Sequence, residues 1–137
     1  MSRPHPVPSL SAQIGLDFWI ESRKLWAIDL PLESMSIAKL AWNLMFERWE
    51  YDPVIDQHRL TPFNLLLNPH ISPKEFKRTQ QANLSYPIEI IWRHNRWVVM
   101  DGLHRLLKAF ALGHQTILVR KFYPKHIPLI DPEYDAS

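Results

Sequence analysis

One stretch constrains the chain more than any other, "YPIEIIWRHNRWVVMDGLHRLLKAFALGHQTILVRKF", residues 86–122. It opens with two runs rich in β-branched and aromatic residues, 86–93 and 96–101, separated by "HN". Two such runs around two turn-forming residues predict a β-hairpin. Asp101 and Gly102 then end the second run. Leu103, Leu106, Leu107 and Phe110 recur at the 3.6-residue spacing of a helix with one buried face. Gly113 suits the residue just past a helix end, and "TILVRKF" (116–122) predicts a closing strand. A β-β-α-β unit of this kind needs a sheet with a helix packed against it, so the fold class expected is α/β (α+β).

The remaining sequence is read around that unit. Residues 25–30 predict a strand stopped by Pro31. Ile37, Leu40, Ala41, Leu44 and Met45 share one face of an expected helix, with Ser34 or Ser36 as its N-cap. Pro62, Pro69 and Pro73 divide the next segment into a helical turn near 62–67 and a helix over 73–81 capped by Ser72. "DQHR" (56–59) and Thr61-Pro62 read as turn and surface. Pro4, Pro6 and Pro8 make residues 1–13 an extended arm. Pro128 and Pro132 make residues 125–137 a surface tail. Residues 14–124 are expected to form one domain, a small mixed central sheet flanked by helices.

Composition excludes several chemistries. The chain of 137 residues has no cysteine, which removes thiol nucleophiles, disulfides and Cys-ligated zinc. No apolar run reaches the ~20 residues of a membrane span, and the N-terminus lacks a secretory apolar core, so a cytoplasmic location is expected. Net charge is +2, with "RKFYPKH" (120–126) the nearest basic cluster. That argues against nucleic acid as a partner. His58, His70 and His94 stand singly, without the spacing of metal ligands. Trp42 and Trp49 fit a core or a protein interface.

The 101–105 segment carries the candidate chemistry. A helix that starts just after a strand presents backbone N–H groups with no intrahelical acceptor, together with the positive end of its dipole. Both favour an anion. Arg105 in the first turn adds a bidentate donor, His104 a donor or proton carrier near neutral pH, and Lys108 a further cation one turn on. Asp101 has two readings that the residues leave open: a helix cap, or a group that holds Mg²⁺ or orients a hydroxyl.

These same residues, 86–122, resemble the shared core of the ParB N-terminal domain and sulfiredoxin, and most closely small bacterial ParB-like proteins with a "DG-X-HR" turn. The likeness is looser over 24–85. It implies a phosphate-binding helix start at Gly102, Leu103, His104 and Arg105, with ATP, ADP or CTP with Mg²⁺ as the bound species; the Tyr86-Pro87 pair itself reads as a strand start, with the lining of the pocket as the other reading of Tyr86. Sulfiredoxin has cysteine where Leu103 stands, so sulfinic-acid repair is excluded. ParB has Gly-Glu-Arg-Arg, matched only by Gly102 and Arg105, and the DNA-binding part that follows there has no counterpart. Free-serine kinases share the Asp-Gly pair, which implies a catalytic role for Asp101 at that turn and, near the first strand, for Glu33 as the carboxylate base. The expected function is binding of a nucleotide or phosphorylated small molecule, with phosphoryl transfer as the reaction. The alternatives are a non-enzymatic partner-binding or regulatory module and, behind these, a nuclease or DNA-binding protein.

Overall fold

The computed structural model describes residues 9–52 and 56–135; the first eight residues of the expected arm, Pro53 and its two successors, and the last two residues lie outside them. Six strands and six helices follow one another as α1 (Ser9–Gln13), α2 (Ser22–Ala27), β1 (Glu33–Ser36), β2 (Trp49–Asp52), β3 (Asp56–Leu60), α3 (Pro62–Leu67), α4 (Pro73–Gln81), β4 (Ile88–Arg93), β5 (Arg96–Asp101), α5 (Leu103–Ala111), β6 (Thr116–Phe122) and α6 (Ile127–Ile130). The main sheet has the order β1-β6-β4-β5. β4 runs parallel to β6 and antiparallel to β5, and β1 is antiparallel to β6. This is the mixed sheet of an α+β fold, as the 86–122 pattern requires.

The β-β-α-β unit forms where the residues place it. His94 and Asn95 both take positive φ, 50° and 63°, the geometry of a two-residue hairpin turn that follows the twist of the strands. α3 starts with Thr61 accepting from Asn64 N, and α4 with Ser72 accepting from Glu75 N, each followed by proline.

The sheet is buried on both faces. On one side Ile88, Ile90, Val99 and Val119 pack with Leu103, Leu106 and Leu107 of α5 and Leu65 of α3. On the other, Ile91, Val98, Met100 and Phe122 pack with Ile14, Leu16, Phe18, Leu25, Ile127 and Ile130. The two ends of the chain therefore supply the second layer. Residues 127–130, expected in a surface tail, form α6, with Ile127 and Ile130 almost wholly buried. Proline at the first turn of a helix is compatible with it, and a sheet whose second face is apolar must be covered. Arg93 ties both ends to β4 through Asp17 Oδ1 (2.7 Å), the Gly15 carbonyl and the Tyr134 hydroxyl.

Residues 9–13 of the expected extended arm form the helix α1, and three further expectations are corrected. Residues 25–30 are not a strand; α2 covers 22–27, because Leu25 and Ile28 enter the core at a spacing of three, the helical period. The first strand of the sheet is Glu33–Ser36 instead. The helix expected over 37–45 is two short 3₁₀ turns, Ile37–Lys39 and Ala41–Met45. Their tighter winding buries Asn43 and leaves Met45 exposed. Asn43 has a reason to be inside. β5 is an edge strand, and an unpaired edge must be covered. Asn43 Oδ1 accepts from Val99 N at 2.9 Å, Trp42 Nε1 and Asn43 Nδ2 donate to the Trp97 carbonyl, and Arg48 Nη2 donates to the Val99 carbonyl. Trp42 is thus a structural cover, half-buried against Phe46. Lastly, β2 and β3 pair antiparallel, so "DQHR" is strand rather than turn; the side chains of 49–59, Trp49 and His58 among them, lie outside the described residues.

Candidate functional site

Gly102 sets the geometry. It is the N-cap of α5, in the left-handed region at φ 108°, which favours glycine. A Cβ built on it would stand 2.5 Å from Ile88 Cγ2 and 2.8 Å from Ile88 Cβ. The turn thus needs glycine twice, for its backbone angle and for the closeness of β4. Gly102, the N-cap residue, has no side chain with which to cap α5. Asp101 Oδ2 accepts from Trp26 Nε1 at 3.3 Å.

The first turn of α5 opens on a cavity of about 400 Å³ whose wall includes Arg78, Tyr86, Asp101, Gly102, His104 and Arg105. Among the described residues Arg105 is not drawn away into an ion pair. Its Nη1 donates to the Pro87 carbonyl at 3.3 Å, and the guanidinium stands 5.6 Å from the Tyr86 ring centroid. His104 Nε2 lies 3.3 Å from Glu75 Oε2, and Glu75 Oε1 is 3.2 Å from Arg78 Nη1. Burial holds the His104 imidazole below its ordinary pKa and outweighs the Glu75 carboxylate, which pulls the other way. Two cationic guanidinium groups, a helix start and a carboxylate then share one cleft, an arrangement that accepts a multiply charged anion.

A second cavity, of about 390 Å³, is lined by Trp26, Tyr86, Pro87, Glu89, Arg105 and Arg120. Tyr86 and Arg105 therefore border both. Its floor is a buried ion pair: Glu89 Oε2 lies 3.1 Å from Arg120 Nη1. Arg120 also donates to the carbonyls of Leu25 and Ile28, fastening the C-terminal end of α2 to the sheet. Burial pushes the Glu89 carboxyl above its ordinary value, against the pull of Arg120.

Of the residues singled out in the sequence, Asp101, Gly102, His104, Arg105 and Tyr86 meet at the cleft. Three do not contribute as expected. Leu103 is buried among the core residues on α5's side of the sheet, so only its backbone N–H can face a ligand. Lys108 turns to the end of α4, where Nζ donates to the carbonyls of Gln80 (2.8 Å) and Ala82 (2.7 Å); a cation there satisfies carbonyls that a helix end leaves unpaired. Glu33 lies on edge strand β1, ion-paired to Lys121 at 3.2 Å. Three strand spacings, roughly 14 Å, separate β1 from the strand of Asp101. Glu33 therefore does not share the cleft of Asp101 and Arg105.

Trp26, Glu75, Arg78, Glu89 and Arg120 were not singled out in the sequence as site residues. One signal was present: Glu89 and Arg120 are charges of opposite sign inside largely apolar strand runs, and they are register partners in the parallel pair β4–β6. Buried charges are normally paired.

Comparison of the chain with family models, curated proteins and solved structures finds no match.

The residues present suit Mg²⁺ only in part. Among the described residues no group of three or more His, Asp or Glu side chains is arranged around a metal position. Asp101 offers one carboxylate, which is a sufficient protein share for Mg²⁺ where phosphate oxygens and water complete the shell. Among the described residues no helix is long and apolar enough to cross a membrane.

Proposed function

We propose that this protein binds a phosphorylated small molecule of the nucleotide kind, with its phosphates on the first turn of α5, as the resemblance to the ParB and sulfiredoxin core implies. The observation that carries the reading is the start of α5 at Gly102, which opens into a cavity that Arg78 and Arg105 also line. Arg105 meets the phosphate with a planar, bidentate donor. His104, held towards its neutral form by burial, donates or accepts one hydrogen bond. Asp101 lies at the end of β5 beside these donors, placed to orient a hydroxyl acceptor or share a Mg²⁺ ion with the phosphates. Phosphoryl transfer asks mainly for such positioning and charge stabilisation, and it is the reaction proposed.

The test is thermal denaturation with ATP, ADP or CTP, with and without Mg²⁺. A ligand at 100 times its Kd adds about 2.7 kcal/mol of stability and raises Tm. Arg105→Ala is expected to weaken binding by about 1.5–3 kcal/mol, the range for a charge-assisted hydrogen bond. Absence of any shift with all three nucleotides, or equal affinity in Arg105→Ala, would refute the proposal. The partner-module reading has one observation in its favour: Leu67 and Leu112, near the ends of α3 and α5, are largely exposed. It predicts no nucleotide shift.

A further inference from the structure

Glu75 links two residues of the cleft wall. It sits in the first turn of α4, where its N–H donates to Ser72 Oγ, and its side chain is 9% exposed. Oε1 accepts from Arg78 Nη1 at 3.2 Å, and Oε2 faces His104 Nε2 at 3.3 Å. A buried carboxylate needs a counter-charge. Arg78 supplies it while His104, by its burial, is held towards the neutral form. The Arg78 side chain is 55% exposed, so turning it towards an anion in the cleft costs no core packing. Glu75 would then be left with His104 alone. Other charges act on the imidazole too. Asp101 at the end of β5 favours the imidazolium and Arg78 opposes it. On α5 itself Arg105 lies beside it, and Lys108 is turned to the carbonyls of Gln80 and Ala82. Of the elements packed on α5, α3 carries no charge, and Glu89 of β4 is paired with Arg120.

We propose that anion binding at the α5 turn is proton-coupled: Arg78 leaves Glu75 for the anion, and His104 takes a proton from solvent and becomes the cation that faces both Glu75 and the anion. No covalent bond to the ligand forms or breaks in this step. The released carboxylate and the anion both favour a charged imidazole, and Nε2–H then donates to Glu75 Oε2. Glu75 is a positioning residue, acting through His104. The inference rests on the reading of this turn as the phosphate position and adds its regulation. Because the complex holds more protons than its parts, affinity rises as pH falls through neutrality.

Calorimetric titration of the full chain with ADP, without Mg²⁺, in two buffers of different ionisation enthalpy counts the protons. At about pH 7.5 the wild type should take up about 0.5 proton or more per ADP beyond the His104→Gln variant, a difference that cancels the ligand's own ionisation. Its affinity should fall about threefold or more between about pH 7 and pH 8, and that of His104→Gln should change by less than about twofold. Glu75→Gln keeps a hydrogen-bonding side chain without the charge, and should take up less than about half the protons of the wild type. The imidazole nitrogen resonances of His104 in the wild type should move to the doubly protonated pattern as ADP saturates the site. Binding with equal proton uptake in wild type and His104→Gln overturns the coupling while the nucleotide reading stands. So does a neutral imidazole in the saturated complex, or full uptake in Glu75→Gln. No binding of ADP by the wild type at any of these pH values removes both.

Discussion

Replacing Gly102 with alanine tests the turn on which the site depends. Two costs add. An L-residue in the left-handed region loses about 1–2 kcal/mol, and Gly102 has φ 108°. The new methyl would also stand 2.5 Å from Ile88 Cγ2, with the Ile88 Cα 3.2 Å away. Ile88 is fully buried in the central strand, so it cannot swing aside, and forced overpacking of a core costs about 1–3 kcal/mol. The sum is about 2–5 kcal/mol, a large part of the 5–15 kcal/mol typical of a domain. Gly113 is the internal control. It too has positive φ, 78°, but a Cβ there meets nothing within 4 Å, so Gly113→Ala should lose only the backbone cost. Urea unfolding followed by tryptophan fluorescence measures both. With a slope of about 2 kcal/mol per molar, Gly102→Ala should unfold at a midpoint lower by about 1–2.5 M, and lower than Gly113→Ala. If the two variants agree within about 0.5 kcal/mol, the contact with Ile88 does not fix the turn, and the geometry assigned to the anion site is wrong.

Two further outcomes follow from the fold and its ionisable groups. Asn43→Ala strips the acceptor from the Val99 N–H; an unsatisfied buried donor costs about 1–3 kcal/mol, and hydrogen exchange at the Val99 amide should accelerate more than at Ile90 on the neighbouring central strand. The pH dependence of the urea midpoint has a defined sign. His104 and His126 are both held below the ordinary histidine value, by burial first. Their contribution is therefore present above the unfolded value of 6.5 and lost as pH falls through the folded values. The midpoint should drop on acidification from about pH 7 to pH 5, and His104→Gln should flatten that slope; an unchanged slope rejects the burial argument. Glu89, with its carboxyl raised, acts oppositely: its contribution is present below 4.5 and fades as pH rises through its folded value.

Local chemistry made the 86–122 unit legible. Strand runs around two turn residues, a serine before a proline, and apolar residues three and four apart are signals carried within a few positions of one another. The Asp-Gly turn and the cation of Arg105 were readable for the same reason. Residues 25–45 were not, since Leu25 and Ile28 satisfy a strand pattern until the core shows that they enter it together at helical spacing. Asn43 illustrates the same limit: nothing near it in the chain announces that an edge strand 56 residues away needs its side chain.

From its own order of residues, then, the chain determined a hairpin leading through a glycine turn into an amphipathic helix and a closing strand, because hydrophobic period and turn preference act over short separations. Which charges meet was decided only in three dimensions. Lys108 capping α4, Glu33 held at the far edge by Lys121, and Glu89 joined to Arg120 across 31 residues depend on strand order and register. Those are set by burial of the whole sheet between its two layers, and no local run of residues encodes them.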